Sequence, residues 1–265
     1  MSRTLKVLLS LIVVLAVVAA AAEFAVRWYA GREIADEFRA QATAENPGFT
    51  PDDPKVSFGL HPVIAAAVTR TVGHVEVDTP STLMVRGDDI SGQPGSHLVL
   101  TDLDISDQNN PVAGTLEATS TLSNEFLLAT VRHTINAQAA QEAGGGFGAQ
   151  LLRSLVQVTD VRSDAAADTL VVEFSGGAAS ATLTPAPSGD AITFAVTKTE
   201  VLGLELPEEV TRQLTQALQE GISQQLARFG GLAITQATAT EEGLTASVRG
   251  ENVALRDLEA SRVAN

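Results

Sequence analysis

The sequence predicts an α+β fold built on a largely antiparallel sheet, and three observations carry that prediction. Apolar and polar residues alternate with period two along many short segments, as strands with one wet face require. Acidic and glycine-containing turns separate those segments, as in hairpins. A few stretches switch instead to the 3.6-residue period of an amphipathic helix.

The first element is apolar rather than amphipathic. Met1, Arg3 and Lys6 precede a run over residues 7–22 in which Ser10 is the one polar residue before Glu23. A charged start followed by an apolar stretch is the pattern of an export signal. The run is a little shorter than the ~20 residues that span a bilayer comfortably. Ala20 and Ala22 supply the small residues a signal peptidase needs, so anchor and cleaved signal peptide both fit. Arg3 and Lys6 hold the N-terminus in the cytoplasm. Residues 1–22 are thus expected to be the membrane anchor or signal peptide. Residues 23–265 form one extracytoplasmic domain, at the outer face of the cytoplasmic membrane or released into the periplasmic space.

From Phe24 the pattern turns amphipathic. Phe24, Trp28, Gly31, Ala35 and Phe38 fall at helical spacing, with Arg27, Arg32, Glu33, Asp36, Glu37 and Arg39 largely elsewhere on the wheel. Asn46, Pro47, Gly48, Pro51 and Pro54 end this helix in a loop. Alternation then predicts strands around 74–78 and over 97–105, 114–119, 156–161, 170–174, 179–183, 191–196 and 232–248. Ser188-Gly189-Asp190 and Glu241-Glu242-Gly243 mark hairpin turns. Two helices interrupt the strands, over 122–143 and 207–229. In the second, Pro207 suits the first turn, Val210, Leu214, Leu218, Ile222 and Leu226 form a stripe, and Gly230-Gly231 stops it. Gly221 costs about 1 kcal/mol relative to Ala in mid-helix.

Composition narrows the function. A net charge of −15 spread along 265 residues excludes a phosphate-backbone partner, whose affinity comes from clustered Lys and Arg, so no nucleic acid is expected. The same charge repels a bare anionic membrane surface, so any dealings with lipid must proceed by apolar burial. There is no cysteine, which excludes disulfides and acylation of a cysteine thiol. The apolar residues are mostly Ala, Val and Leu, the makings of a smooth aliphatic interior.

No catalytic constellation emerges, and no cofactor or metal is called for. None of the four histidines lies at the spacing of a helical zinc site. His74, Glu76 and Asp78 share one strand face, where polar residues are the ordinary occupants. Asp102, Asp104 and Asp107 begin a calcium-loop pattern, but Asp107 stands where the loop needs Gly and Ala113 where it needs Glu. Gly144, Gly146 and Ala149 follow a helix rather than a strand, so no pyrophosphate turn exists there. Arg86-Gly87-Asp88 reads as a turn. Glu208 and Glu209 sit in a first helical turn, where the macrodipole favours negative charge.

One segment nonetheless looks familiar. Val56-Ser57-Phe58-Gly59-Leu60-His61-Pro62-Val63, following an apolar run and Arg27-Trp28-Tyr29, resembles the actinobacterial family of envelope proteins typified by lipomannan elongation factor A. The likeness extends to Val158-Thr159-Asp160-Val161, to Val201-Leu202-Gly203-Leu204, and to the Gly243-Leu244 hairpin with Gly250-Glu251-Asn252-Val253. An Ala- and Gly-rich stretch over 137–149 departs from the family pattern. The resemblance implies a tubular lipid-binding fold of the kind seen in bactericidal permeability-increasing protein, a curved antiparallel sheet wrapped around or packed on long amphipathic helices. It further implies binding of phospholipids, including phosphatidylinositol or its mannosides, in support of lipomannan-type lipoglycan assembly.

An amphipathic helix closing over an aliphatic sheet face leaves a slot for acyl chains, each buried methylene contributing roughly 0.8 kcal/mol. The expected lipid contacts are Phe58, Val63 and Ile64 near one end and Leu214, Leu218 and Ile222 along the long helix. Two other functions remain open at this level: a non-catalytic partner that stabilises a membrane glycosyltransferase, and an envelope enzyme acting on glycans.

Overall fold

The alternating segments become two antiparallel sheets in the computed structural model, which describes residues 3–107, 109–141, 157–188, 191–205 and 232–256. The side chains of residues 3–16, 134–141, 191 and 205 lie outside that description. In chain order the strands are β1 (Lys55–Ser57), β2 (Thr71–Thr79), β3 (Met84–Arg86), β4 (Asp89–Ser91), β5 (Ser96–Asp104) and β6 (Val112–Ser123), then β7 (Val158–Asp164), β8 (Thr169–Phe174), β9 (Ala179–Ser188), β10 (Ala191–Val201), β11 (Leu204–Glu205), β12 (Ala233–Thr240) and β13 (Gly243–Ala254). The helices are α1 (Arg3–Glu45), a single turn α2 (Ala66–Thr69) and α3 (Asn124–Gln141). One sheet has the order β1-β2-β5-β6-β13-β12, the other β11-β10-β9-β8-β7, and β3 and β4 form a separate hairpin.

Alternation decides which face of the larger sheet is dry. Val75 and Val77 of β2, Leu98 and Leu100 of β5, and Leu116 and Ala118 of β6 turn inward, where α1 covers them with Ala30 and Ile34. The outer face carries cross-strand polar pairs that satisfy one another. Arg249 pairs with Glu117 at 2.5 Å, Thr119 with Ser247 at 2.8 Å and Thr121 with Thr245 at 2.9 Å. The inner face of β6 and β13 continues past α1: Leu122, Leu244 and Ala246 join a second cluster with Val161, Val172, Leu183 and Ile192 of the smaller sheet and Leu127, Leu128 and Val131 of α3. Two hydrophobic clusters therefore lie end to end along one apolar strip.

Two expectations need correction. The helix expected from residue 122 begins at Asn124, because Leu122 and Ser123 complete β6 opposite Leu244 and Gly243. Ser123 then caps the helix, its Oγ accepting from the Phe126 N–H at 3.2 Å. In α1 the stripe expected to be buried includes Phe24 and Trp28, yet both are exposed. The protected side runs through Arg27, Ala30, Ile34, Ala35, Phe38 and Ala42. Trp28 instead lies under the Arg32 guanidinium at 5.3 Å, a cation–π contact made in solvent. The helix expected over 207–229 lies outside the described residues, as do Gly144, Gly146 and Ala149. The described architecture is α+β with antiparallel sheets.

Candidate functional site

The sheet register places the open end of β2 and β5 under the last turns of α1. Ile34, Phe38 and Ala42 recur every fourth residue, so they share one face of the helix. Together with Leu98, Thr79, Ser96 and three prolines, Pro54, Pro80 and Pro94, they line a cavity of about 420 Å³. That volume falls within the ~300–1,000 Å³ of small-molecule pockets.

The chemistry of its wall is mostly apolar. Proline brings no backbone N–H, and the floor hydroxyls are already paired, Thr79 Oγ1 with Ser96 Oγ at 2.8 Å. The rim is different: Glu33, Glu37, Gln41, Glu45 and Gln93 stand at its edge. Glu45 accepts from the amides of Gln41 at 3.1 Å and Gln93 at 3.3 Å. Its end of α1 is pinned by Asn46, whose amide donates to the Thr82 carbonyl at 3.2 Å and accepts from the Ser91 hydroxyl at 2.5 Å. The result is a mostly apolar slot, open to solvent, with carboxylates and amides at its mouth, a form suited to a hydrocarbon chain bearing hydroxyls at one end.

The expected lipid contacts are not gathered at this cavity. Phe58 and Val63 are buried in the cluster beneath the other end of α1, and Ile64 reaches the surface there. Leu214, Leu218 and Ile222 lie outside the described residues. The residues that line the cavity had a signal in the sequence, the fourth-residue recurrence of Ile34, Phe38 and Ala42. Nothing in the sequence pointed to the partner wall, because Pro80, Pro94 and Gln93 belong to loops whose positions depend on tertiary packing.

The Phe58–Val63 end is held by a charged clamp. The Glu23 carboxylate accepts from the backbone N–H groups of Val63 at 2.7 Å and Ile64 at 2.8 Å. It thereby satisfies donors that open a helical turn and have no partner within it. Arg27 binds Glu23 at 2.6 Å and donates to the carbonyls of Gly59 at 2.8 Å and His61 at 2.9 Å. Those backbone bonds, with Arg27 beside them, hold the Glu23 pKa down at about 2.

A second polar group lies on the outer face. Glu76, Asp78 and His97 each offer one ligand atom, all within 4.8 Å of one another. His97 replaces His74 in the set read from the sequence, because the β2–β5 register sets Asp78 opposite His97. His97 Nδ1 bonds Asp78 at 2.6 Å. The three could hold a divalent cation, but as they stand they form a solvated cross-strand ion cluster.

A family model described as LmeA-like phospholipid-binding matches residues 21–249. No curated protein matches the chain, and no solved structure does. The match begins where the apolar run ends and takes in the second half of α1, β1 to β12 and the first part of β13, so the chain belongs to the LmeA-like phospholipid-binding family.

Proposed function

We propose that the protein is a non-catalytic phospholipid-holding component of the cell envelope, supporting lipoglycan assembly of the lipomannan type. Residues 1–22 tether it to the cytoplasmic membrane or direct its export, and residues 23–265 work on the outer side. The body is a tubular lipid holder whose apolar strip along β6 and β13 forms its long axis. The observation that carries this reading is the slot between α1 and the β2–β5 end, apolar on its wall and open to solvent at a rim of acids and amides. One acyl chain fits the slot. Carboxylates at the mouth accept hydrogen bonds from hydroxyls and repel phosphate. A hydroxyl-rich headgroup such as inositol or its mannosides meets that rim with its sugar, its phosphate turned away.

The test uses the full chain in lipid vesicles containing phosphatidylinositol with a photoreactive diazirine near the acyl terminus. Irradiation is expected to give adducts on peptides carrying Phe38, Ala42 and Leu98. In the Ala42→Phe variant the added ring displaces two or three methylenes at about 0.8 kcal/mol each, lowering the yield roughly tenfold or more. Adducts confined to residues 7–24, with none on Phe38, Ala42 or Leu98, would refute the slot as the lipid site.

A further inference from the structure

The middle of α1 around Phe24, together with the loop and turn clamped to it, carries exposed apolar side chains that neither the core nor the slot uses. Leu60 is 99 % exposed, Val68 87 % and Phe24 72 %, and Ile64 is also at the surface. Leu60 belongs to the loop that the Glu23–Arg27 clamp ties to α1. Ile64 and Val68 are four residues apart on the helical turn that follows. This display is therefore ordered: four backbone groups of the loop are bonded to α1, and the side chains between them are left facing out. Exposing large apolar residues on an ordered loop is costly in water and marks a contact surface.

The occupant follows from chain continuity. The clamp residues Glu23 and Arg27 come directly after the apolar run of residues 7–22, and backbone helix is continuous from Arg3 to Glu45. Among the described residues no helix is long and apolar enough to cross a membrane, and the side chains of residues 3–16 lie outside that description. A loop fixed to the first turn beyond an apolar run stands at whatever surface that run enters. Charge points to the same partner class. Beside the foot, β5 ends at Asp104 opposite Thr71, and Arg70 joins Thr71 to the turn that carries Ile64 and Val68, so charges of both signs meet there without a basic cluster among the described residues, which leaves apolar insertion as the mode of contact.

We infer that Leu60, Ile64 and Val68 form a foot that enters the interfacial layer of the bilayer beside the apolar N-terminal segment, an inference that rests on the membrane-tethered reading above and not on occupancy of the slot. The foot sets the height of the slot. At 1.5 Å per residue, Phe38 stands about 22 Å from Glu23 along α1, so a lipid held in the slot has left the bilayer.

The absence of cysteine in the chain makes the test clean. Single cysteines at Leu60, Val68, Val17 and Ala166 are labelled with an environment-sensitive fluorophore in the full chain, reconstituted in phosphatidylcholine vesicles. Ala166 serves as the distant reference, since its turn joins β7 to β8 and is tied by Asp168 to Ala239, at the far end of β12. The expected result is blue-shifted emission at Leu60 and Val68, quenched by lipids carrying a nitroxide on the acyl chain, with water-like emission at Ala166. Water-like, unquenched emission at both Leu60 and Val68 overturns the foot. In that event the Val17 label separates the two readings: lipid-like emission there means that the tether stands without a foot, and water-like emission means that the tethered reading has failed as well. Because the foot positions are exposed, labelling them leaves the core undisturbed.

Discussion

Glu23 illustrates how much one side chain can do when its partners are backbone N–H groups. Its carboxylate caps a turn 40 positions away in sequence, and those same bonds lower its pKa from the ordinary 4.5 to about 2. A carboxylate with a depressed folded-state pKa stabilises the fold above its unfolded value and loses that contribution as pH falls through the folded one. The contribution of Glu23 is thus complete above about pH 4.5 and gone near pH 2. Thermal unfolding of the wild type and Glu23→Gln should show a Tm gap at pH 6 that closes as pH falls through this window. A gap independent of pH would mean that the charge is irrelevant to the clamp. Gly243 makes a different point. Its φ is +153°, and a Cβ there would come within 1.9 Å of the Leu122 carbonyl oxygen. Gly203 also has positive φ, but open space around it. Gly243→Ala should therefore cost roughly 2 kcal/mol or more in urea unfolding, and Gly203→Ala about 1 kcal/mol, the backbone cost alone.

Secondary elements were legible in the sequence wherever one face is wet. β2, β5, β7, β8, β9, β10, β12 and β13 all fall on segments whose alternation is visible, because the outer face must stay polar and the inner face cannot. The hairpin β3–β4 was not visible as strands. Three residues per strand give too few alternations, and only the turn at Gly87 and Asp88 could be read. The face of α1 was read partly wrong for a related reason: an apolar helix face is a statement about what covers it. Phe24 and Trp28 lie on the exposed side of the helix, Trp28 beneath Arg32, whereas small residues, Ala30, Ala35 and Ala42, take the covered side and let the helix approach the sheet. The slot was legible only as a spacing on α1, since its other wall is made by loops. Packing at this scale is testable through Leu116 and Leu244, both fully buried among the described residues. Leu116 lies in the cluster under α1 and Leu244 in the cluster under the smaller sheet. Truncation of either to Ala should cost about 2–5 kcal/mol. Because β6 and β13 pair along their whole lengths and carry both clusters, each variant should still unfold in one transition by both far-UV and tryptophan signals. Separate transitions would mean that the strip does not couple the two ends.

At the scale of the whole molecule, charge and apolar surface oppose each other at a membrane. The chain carries −15, and the acids at the slot rim and beside the foot belong to that excess. A carrier that approached lipid through a basic patch would prefer anionic membranes and release them as salt rises. This protein should do the reverse. Uptake of photoreactive phospholipid from donor vesicles by the full chain, reconstituted in neutral acceptor vesicles, should be slower from donors rich in anionic lipid than from phosphatidylcholine donors at low salt. Raising the ionic strength to physiological levels and beyond shortens the Debye length to ~8 Å and less. The repulsion is then screened, while burial of Leu60, Val68 and the acyl chain persists, since apolar burial does not depend on charge. The anionic donors should therefore catch up with the neutral ones as salt is added, and neutral-donor uptake should change little. Uptake that is faster from anionic donors and falls with salt would place a local basic site at the point of lipid entry. Arg27 and Arg70, the cations nearest the foot loop in sequence and in the clamp, would then be the first residues to substitute.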